Sequence, residues 1–336
     1  MSSRARVLVL LVAVAVVTAG AAAFALRDSH RYRQLHDAAP VVAQTARIAG
    51  DGPRIVFRHT GIDARNGEVA VVSAAHPRAA RSFTGVTCDR VYATTTAVSC
   101  LRTLRGVVTR YELDELAGDW SVRQRSSLPG VPSRTRLSPD GSLVATTTFV
   151  SGHTYMQVGF STTTEIRDVD GASRGNLETF TLEIDGRTVA PSDRNIWGVT
   201  FVDDGSFYAT VGTGGRTYLV RGDLADRTLS AIRENAECPS VSPDGSQVAY
   251  KVDSPEAGTH WSFAVLDLAS GRETVLGGER TSVDDQAEWL DDDTILYGLP
   301  RTDEPGVTDI WSLDTHASAR PRLLIKQAWS PSVVRP

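Results

Sequence analysis

Val241-Ser242-Pro243-Asp244-Gly245 is a tight-turn sequence, and an apolar stretch, residues 248–252, follows it. Proline presets φ for the first turn position, aspartate bonds the backbone two residues on, and glycine accepts a positive φ. The pattern predicts two antiparallel strands joined by an aspartate-centred turn.

The same unit of apolar strand, aspartate-centred turn and apolar strand recurs in residues 137–149, 201–211 and 289–299. We therefore predict structural roles for the turn residues Asp140, Gly141, Asp204, Gly205, Asp244 and Gly245. Residues 203–204 and 291–293 lack the ligand spacing of a calcium loop. The sequence leaves open whether the chain binds a metal elsewhere.

The spacing of these turns indicates the architecture. The central turn residues are Thr95, Asp140, Asp204, Asp244, Asp292 and Ser332, at intervals of 45, 64, 40, 48 and 40 residues. A period of about 40–50 residues containing four strands is typical of a β-propeller blade. The long interval indicates an insertion within residues 151–190, whose role the sequence does not reveal.

The two ends of the repeat region together supply the strands of one blade. Residues 54–58 look like the second strand of a blade that lacks its first strand, and residues 329–334 look like a first strand with no blade after it. Pairing them removes two open sheet edges. We therefore predict an all-β chain with one six-bladed propeller over residues 53–336, a targeting segment at 1–26 and a linker at 27–52.

The Ser-Pro-Asp-Gly turns resemble the WD40-like propeller repeats of the TolB C-terminal domain. Residues 234–245 and 283–290 are similar to segments of exported TolB-like proteins from high-GC Gram-positive bacteria. The resemblance covers roughly residues 53–336 and implies a propeller of the cell envelope. TolB itself has an α/β domain before its propeller, whereas 26 residues separate the apolar run from the first blade here.

The N-terminus reads as a targeting segment, because Arg4 and Arg6 precede an uncharged apolar run, residues 7–26. As an anchor, the run is long enough to span a bilayer core of roughly 30 Å. As a signal peptide, residues 7–17 form the apolar core and residues 23–25 fit a small-x-small cleavage site. Both alternatives place residues 27–336 outside the cytoplasm, either held at the cell membrane by a single span or secreted.

Two of the three cysteines, Cys88 and Cys100, flank a Thr-rich turn. Cysteines placed symmetrically about a hairpin turn face each other at a distance that a disulfide bridges. An oxidising compartment preserves such a bond. We therefore predict a Cys88–Cys100 disulfide, while Cys238 has no evident partner.

Composition and motifs narrow the classes of function. The net charge is -5 and no long basic run is present, so we do not expect nucleic acid as a partner. The sequence lacks the Gly-x-Ser-x-Gly, His-Glu-x-x-His and phosphate-loop motifs, and its seven histidines are not paired at metal-ligand spacings. We expect no cofactor and a monomeric protein.

One cluster of polar residues is placed to act at the channel. Glu237 and Asp285 share one offset, seven residues before the central turn residue of neighbouring blades, and Asn235, Asp284 and Glu288 lie near them. Converging carboxylates attract a cation or a basic group. We predict an acidic binding site at the channel mouth, with solvated loop charges as the alternative.

Together these features predict an extracytoplasmic scaffold that binds an envelope protein or peptide without catalysis. The alternative is a metal-assisted hydrolase or lyase for a small substrate, with acidic residues around the channel. Function lies in the loops and side chains of a propeller and does not follow from the fold.

Overall fold

The computed structural model of the protein describes residues 3–38, 42–46, 51–150, 161–169, 171–254 and 260–336. The chain divides into two compact units, residues 1–42 with 61–66, and residues 43–60 with 67–336. The first unit contains helix α1 (Ser3–Ala38). Within it, Arg4–Arg31 is long and apolar enough to cross a membrane.

The described residues of the second unit form 26 strands. In chain order, the first thirteen are β1 (Arg54–His59), β2 (Glu68–Ser73), β3 (Ser82–Thr87), β4 (Arg90–Ala93), β5 (Ala97–Leu104), β6 (Arg110–Ala117), β7 (Val122–Ser127), β8 (Val131–Leu137), β9 (Leu143–Val150), β10 (Ser161–Asp168), β11 (Ser173–Asn176), β12 (Thr181–Ile184) and β13 (Arg187–Val189). A 3-10 turn, Leu177–Thr179, precedes β12. The others are β14 (Asn195–Phe201), β15 (Ser206–Thr213), β16 (Arg216–Asp223), β17 (Thr228–Glu234), β18 (Glu237–Val241), β19 (Gln247–Asp253), β20 (Trp261–Asp267), β21 (Glu273–Leu276), β22 (Glu288–Trp289), β23 (Thr294–Pro300), β24 (Thr308–Asp314), β25 (Arg322–Ile325) and β26 (Ala328–Val334).

These strands form the six predicted blades. From the inside outward, the blades are β26-β1-β2-β3 (blade 1), β4 to β7 (blade 2), β8 to β11 (blade 3), β14 to β17 (blade 4), β18 to β21 (blade 5) and β22 to β25 (blade 6). The inner strand of each blade contacts the inner strand of the next all the way round the ring. The prediction of an all-β, six-bladed propeller is confirmed.

Blade 1 is built from both ends of the repeat region, as the sequence predicts. Strand β26 pairs antiparallel with β1, with Arg54 opposite Val334 and His59 opposite Ala328. The Ser332 hydroxyl also bonds both the backbone N–H and the carbonyl of Ala93 in blade 2, at 3.0 and 2.9 Å. The C-terminal strand therefore completes blade 1 by pairing with β1, and on its other side it bonds blade 2.

The insertion changes blade 4. Of residues 151–190, the structure describes 161–169 and 171–190. Strands β12 and β13 form a hairpin there, and β12 pairs parallel with β17, so the sheet of blade 4 has six strands in place of the predicted four. The extra hairpin covers an outer edge that would otherwise be open.

The aspartate-centred turns form as predicted at two positions. In each, the aspartate Oδ1 accepts the N–H of the serine two residues on at 3.0 Å, and the following glycine has φ of 75° or 73°. The residues are Asp140 with Gly141 and Asp244 with Gly245. Hydrogen bonds from Ser242 and Ser246 hold the pKa of Asp244 below its ordinary value.

In the third turn the expected residue is displaced by one. Asp203 accepts the N–H groups of Gly205 and Ser206 at 2.8 and 2.6 Å, whereas the sequence predicts a turn centred on Asp204. Gly205 is also not among the glycines with positive φ. The reason is the reach of the side chain, because an aspartate bonds the backbone two residues ahead and Gly205 stands two residues after Asp203.

The disulfide between Cys88 and Cys100 is present, with a Cα–Cα distance of 5.4 Å. The sequence argument for it was wrong in one respect, because Cys100 lies opposite Val91 and not opposite Cys88. The Cys88 N–H bonds the carbonyl of Gly67, so this residue extends β3 of blade 1. The bond therefore ties blade 1 to the second strand of blade 2.

Candidate functional site in the propeller channel

The inner strands β4, β8, β14, β18, β22 and β26 line a central channel with two distinct ends. We call the end near Arg90, Arg134, Glu237, Lys251 and Asp284 the rim, and the end with the Ser-Pro-Asp-Gly turns the turn end. Successive side chains alternate between the two faces of a strand, so residues 134 and 136 of β8 point to the same side.

At the rim, one exposed carboxylate lies between two cations. The Lys251 side chain is 2% exposed, and its Nζ lies 3.0 Å from Asp284 Oδ1 and 3.6 Å from Glu237 Oε2. Arg134 Nη2 lies 3.8 Å from the same oxygen of Asp284, whose side chain is 69% exposed. Burial opposes the charged form of Lys251, but the neighbouring acidic groups outweigh it and raise its pKa. The Trp261 ring covers the ammonium group at 4.2 Å.

A second pair lies deeper. Asp285, which is 2% exposed, accepts Arg90 Nη1 at 3.3 Å and the Gly298 N–H at 3.0 Å. The Arg90 guanidinium stacks on the Trp329 ring at 4.8 Å. Burial, followed by the nearby charge of Arg134, lowers the pKa of Arg90 to about 10. This pair links blade 6 to blade 2 across the channel.

A third pair, Arg136 and Glu288, separates the two ends of the channel. Both side chains are buried. One Glu288 carboxylate oxygen accepts Arg136 Nη1, and the other accepts the Val333 N–H at 2.9 Å. The Tyr92 ring lies 4.7 Å from the Arg136 guanidinium. Between this pair and Arg90 the free volume is only about 20 Å³, enough for a single water molecule.

Asn235 lies apart from these pairs and has a local role. Its side-chain amide bonds the carbonyl and the N–H of Asp253, each at 3.0 Å, and its own φ is 57°. Asparagine tolerates this left-handed conformation better than most residues. Asn235 therefore shapes the turn before β18 and contacts none of the rim cations.

The structure thus brings Glu237, Asp284 and Asp285 near one another, but each is paired with a cation. We missed Arg90, Arg134, Arg136 and Lys251 because the register argument considered one offset only. A signal was available, because Arg90, Arg134 and Arg136 lie in inner strands and Lys251 interrupts the apolar strand β19, and charged side chains are rarely buried unless they are paired.

Gln286 was also missed, although it joins three blades. Its amide Nε2 donates to the carbonyls of Gly198, Val199 and Pro239 at 3.2, 3.1 and 2.7 Å. The segment 284–288 of blade 6 therefore contacts most of the ring.

In the described part of the chain, no three His, Cys, Asp or Glu side chains come together as a metal site would require.

Comparison with known proteins gives the fold and no family. No family model matches the chain, and no curated protein matches it. Among solved structures, TolB from Acinetobacter baumannii has 16% identity and a TM-score of 0.58, with 85% of this chain and 68% of that chain covered. A chain of the nidogen/laminin complex has 13% identity and a TM-score of 0.54, with 84% and 98% covered.

An enzyme also shares the fold. A puromycin-hydrolysing peptidase from Mycobacterium tuberculosis has 14% identity and a TM-score of 0.50, with 83% of this chain but only 44% of that chain covered. At such identities the similarity concerns the propeller fold alone, which serves both binding proteins and enzymes.

Proposed function

We propose that this protein is a non-catalytic binding module of the cell envelope that recognises a charged protein or peptide segment at the rim of its channel. Its propeller lies outside the cytoplasm, and the apolar helix either anchors it or is removed on export. The helix supports this location, because Arg4–Arg31 has the length and hydropathy of a membrane span.

The observation that carries the proposal is the charge arrangement at the rim. Asp284 is exposed, yet it bridges Lys251 and Arg134, two cations that are largely withdrawn from solvent. Such paired charges around half-buried tryptophans discriminate between partners by charge complementarity. Tryptophan and arginine are also the residues in which binding energy concentrates at interfaces.

The same pairs argue against the metal-assisted alternative. A divalent cation at Glu237, Asp284 or Asp285 would have to compete with an ammonium or guanidinium group already bound there. The electrostatic cost of placing it beside those cations opposes binding.

Site-directed photo-crosslinking in cells that express the full-length chain tests the proposal. A benzoylphenylalanine at position 284 should form a covalent adduct with a partner. The yield of that adduct should fall in 0.5 M salt, because a Debye length of about 5 Å screens the attraction between charges that lie farther apart. The matched control is the same probe at Val275, an exposed residue of β21 on an outer strand. A second variant, Lys251→Met at the rim, should reduce the adduct at position 284.

Equal adducts at positions 284 and 275, or an adduct at neither, would contradict a binding function of the rim. Elemental analysis of the purified full-length protein tests the alternative separately. A stoichiometric divalent metal that is lost in Glu237→Gln/Asp285→Asn would favour the enzyme.

A further inference from the structure

The turn end of the channel holds a cavity of about 280 Å³ that residues of all six blades line. We call it the turn-end cavity, and the residues that define it are Tyr92, Arg136, Thr200, Ser240, Trp289 and Arg335. The Arg136–Glu288 pair forms its floor and separates it from the rim. It is therefore a site distinct from the proposed binding surface.

The charges around this cavity do not cancel. Its charged lining residues are Arg136, Arg335 and Glu288. Both oxygens of Glu288 are engaged, one by Arg136 and the other by the Val333 N–H. The Arg335 guanidinium donates only to the carbonyls of Trp289 and Val333, so no carboxylate of the described residues neutralises it. The lining carries one net positive charge.

The hydroxyl groups of two buried residues also line the cavity as hydrogen-bond donors. Thr200 is 6% exposed, and its oxygen accepts the Val241 N–H at 3.2 Å, which leaves its own hydrogen to donate. Ser240 is 2% exposed, and its hydroxyl has no hydrogen-bond partner among the residues that the structure describes. A hydroxyl group that faces the cavity without a protein partner is available to donate a hydrogen bond to a ligand there.

The rest of the wall is apolar. Phe201, Val241, Pro243 and Trp289 contribute to it, and the aspartates of the neighbouring turns, Asp140 and Asp244, do not line the cavity. Those two aspartates are instead hydrogen-bonded within their own turns.

From these features we propose that the turn-end cavity binds a small carboxylate whose charged end meets Arg335 and the hydroxyls of Thr200 and Ser240. A guanidinium matches a carboxylate with two parallel hydrogen bonds. At about 30 Å³ for each water-sized group, the volume holds a ligand of roughly nine non-hydrogen atoms. A free organic acid and the C-terminal carboxylate of a peptide share this chemistry.

The experiment uses the full-length protein in detergent and benzoate as the probe. The Trp289 indole N–H, which bonds the Ser240 carbonyl at 2.8 Å, reports on the cavity by NMR. Benzoate should shift that resonance with a Kd on the order of 10 mM or tighter. Benzamide has the same shape without the charge and should bind at least about tenfold more weakly.

Variants assign the effect to the cavity. Arg335→Gln should weaken benzoate binding about tenfold, and Ser240→Ala should weaken it by a smaller factor. Arg187→Gln, in the exposed hairpin of blade 4, is the matched control and should leave binding unchanged. Arg335 is exposed, so its variant is expected to keep the melting temperature of the wild type.

A second arm separates the two sources of the carboxylate. A tripeptide ending in phenylalanine is titrated as its free acid and as its C-terminal amide. Binding of the acid without binding of benzoate identifies a peptide C-terminus as the ligand class, whereas binding of benzoate alone identifies a free acid. The proposal is overturned if neither carboxylate shifts the Trp289 resonance, or if Arg335→Gln binds as tightly as wild type.

Discussion

Arg136 and Glu288 show how much depends on single residues in this channel. Their side chains belong to blades 3 and 6, are 152 positions apart in sequence, and are both largely withdrawn from water. A buried ion pair adds little net stability relative to an apolar pair, but removal of one partner leaves an uncompensated charge. The channel therefore tolerates neither charge alone.

We predict that Arg136→Met lowers the free energy of unfolding by about 3–5 kcal/mol in urea denaturation. The double variant Arg136→Met/Glu288→Gln should recover part of that loss, because the orphaned charge is gone. The control is Arg134→Met. It should lower the free energy of unfolding by no more than about 1 kcal/mol, because its partner Asp284 is 69% exposed and stays solvated. Equal losses for both single variants would contradict this account.

A second residue-scale prediction concerns Glu178, between blades 3 and 4. Burial raises its pKa to about 7 although its carboxylate accepts the Thr164 N–H at 3.0 Å. The folded state therefore holds a proton that the unfolded state releases near pH 4.5. The stability that this proton provides is complete below that pH and is lost as the pH rises to 7.

We expect the free energy of unfolding to fall by up to about 3 kcal/mol between pH 4.5 and 7 because of Glu178. Urea denaturation at several pH values across that range measures the slope of the free energy of unfolding against pH. Glu178→Gln cannot ionise and should flatten it. A wild-type slope that survives in Glu178→Gln would assign the pH dependence to another group.

At the scale of elements, the Cys88–Cys100 bond joins neighbouring blades, since Cys88 continues β3 and Cys100 belongs to β5. The two cysteines are only 12 residues apart, so the closed loop is short. We predict that Cys88→Ala/Cys100→Ala lowers the free energy of unfolding by at most about 3 kcal/mol.

Mass spectrometry of the unreduced, exported protein checks that the bond forms in cells, and calorimetry measures its effect. Wild type treated with a reductant is the control and should melt as the double variant does. Two free thiols in the exported protein would refute the predicted bond.

At the scale of the whole molecule, ring closure depends on β26. Removal of residues 327–336 exposes the edge of β1 and breaks the Ser332 bonds to blade 2. We predict a sharp fall in melting temperature, which calorimetry measures, together with a tendency to associate through the open edge. Removal of residues 335–336 alone should have a small effect, and a truncated protein that melts like the full-length chain would rule out this closure.

The sequence by itself determined the propeller, its six blades and its closure. Turn chemistry acts over a few residues, as in Asp244 and Gly245, and alternation of apolar residues marks each strand. The spacing of these local signals fixes the number of blades without knowledge of any distant contact. The disulfide was predicted from the placement of two cysteines about one turn, but the sequence did not show that the bond joins two blades, because Cys100 pairs with Val91 and Cys88 extends β3.

Only the tertiary structure decided which charges meet. The pairs Arg90–Asp285 and Arg136–Glu288 join positions 195 and 152 residues apart, and no local pattern encodes which blade faces which across the channel. The sequence therefore indicated an acidic mouth, whereas the fold pairs its carboxylates with arginine and lysine. Arg335 lacks such a partner for the same reason, since ring closure brings it to a cavity where the carboxylate oxygens of Glu288 are already bound.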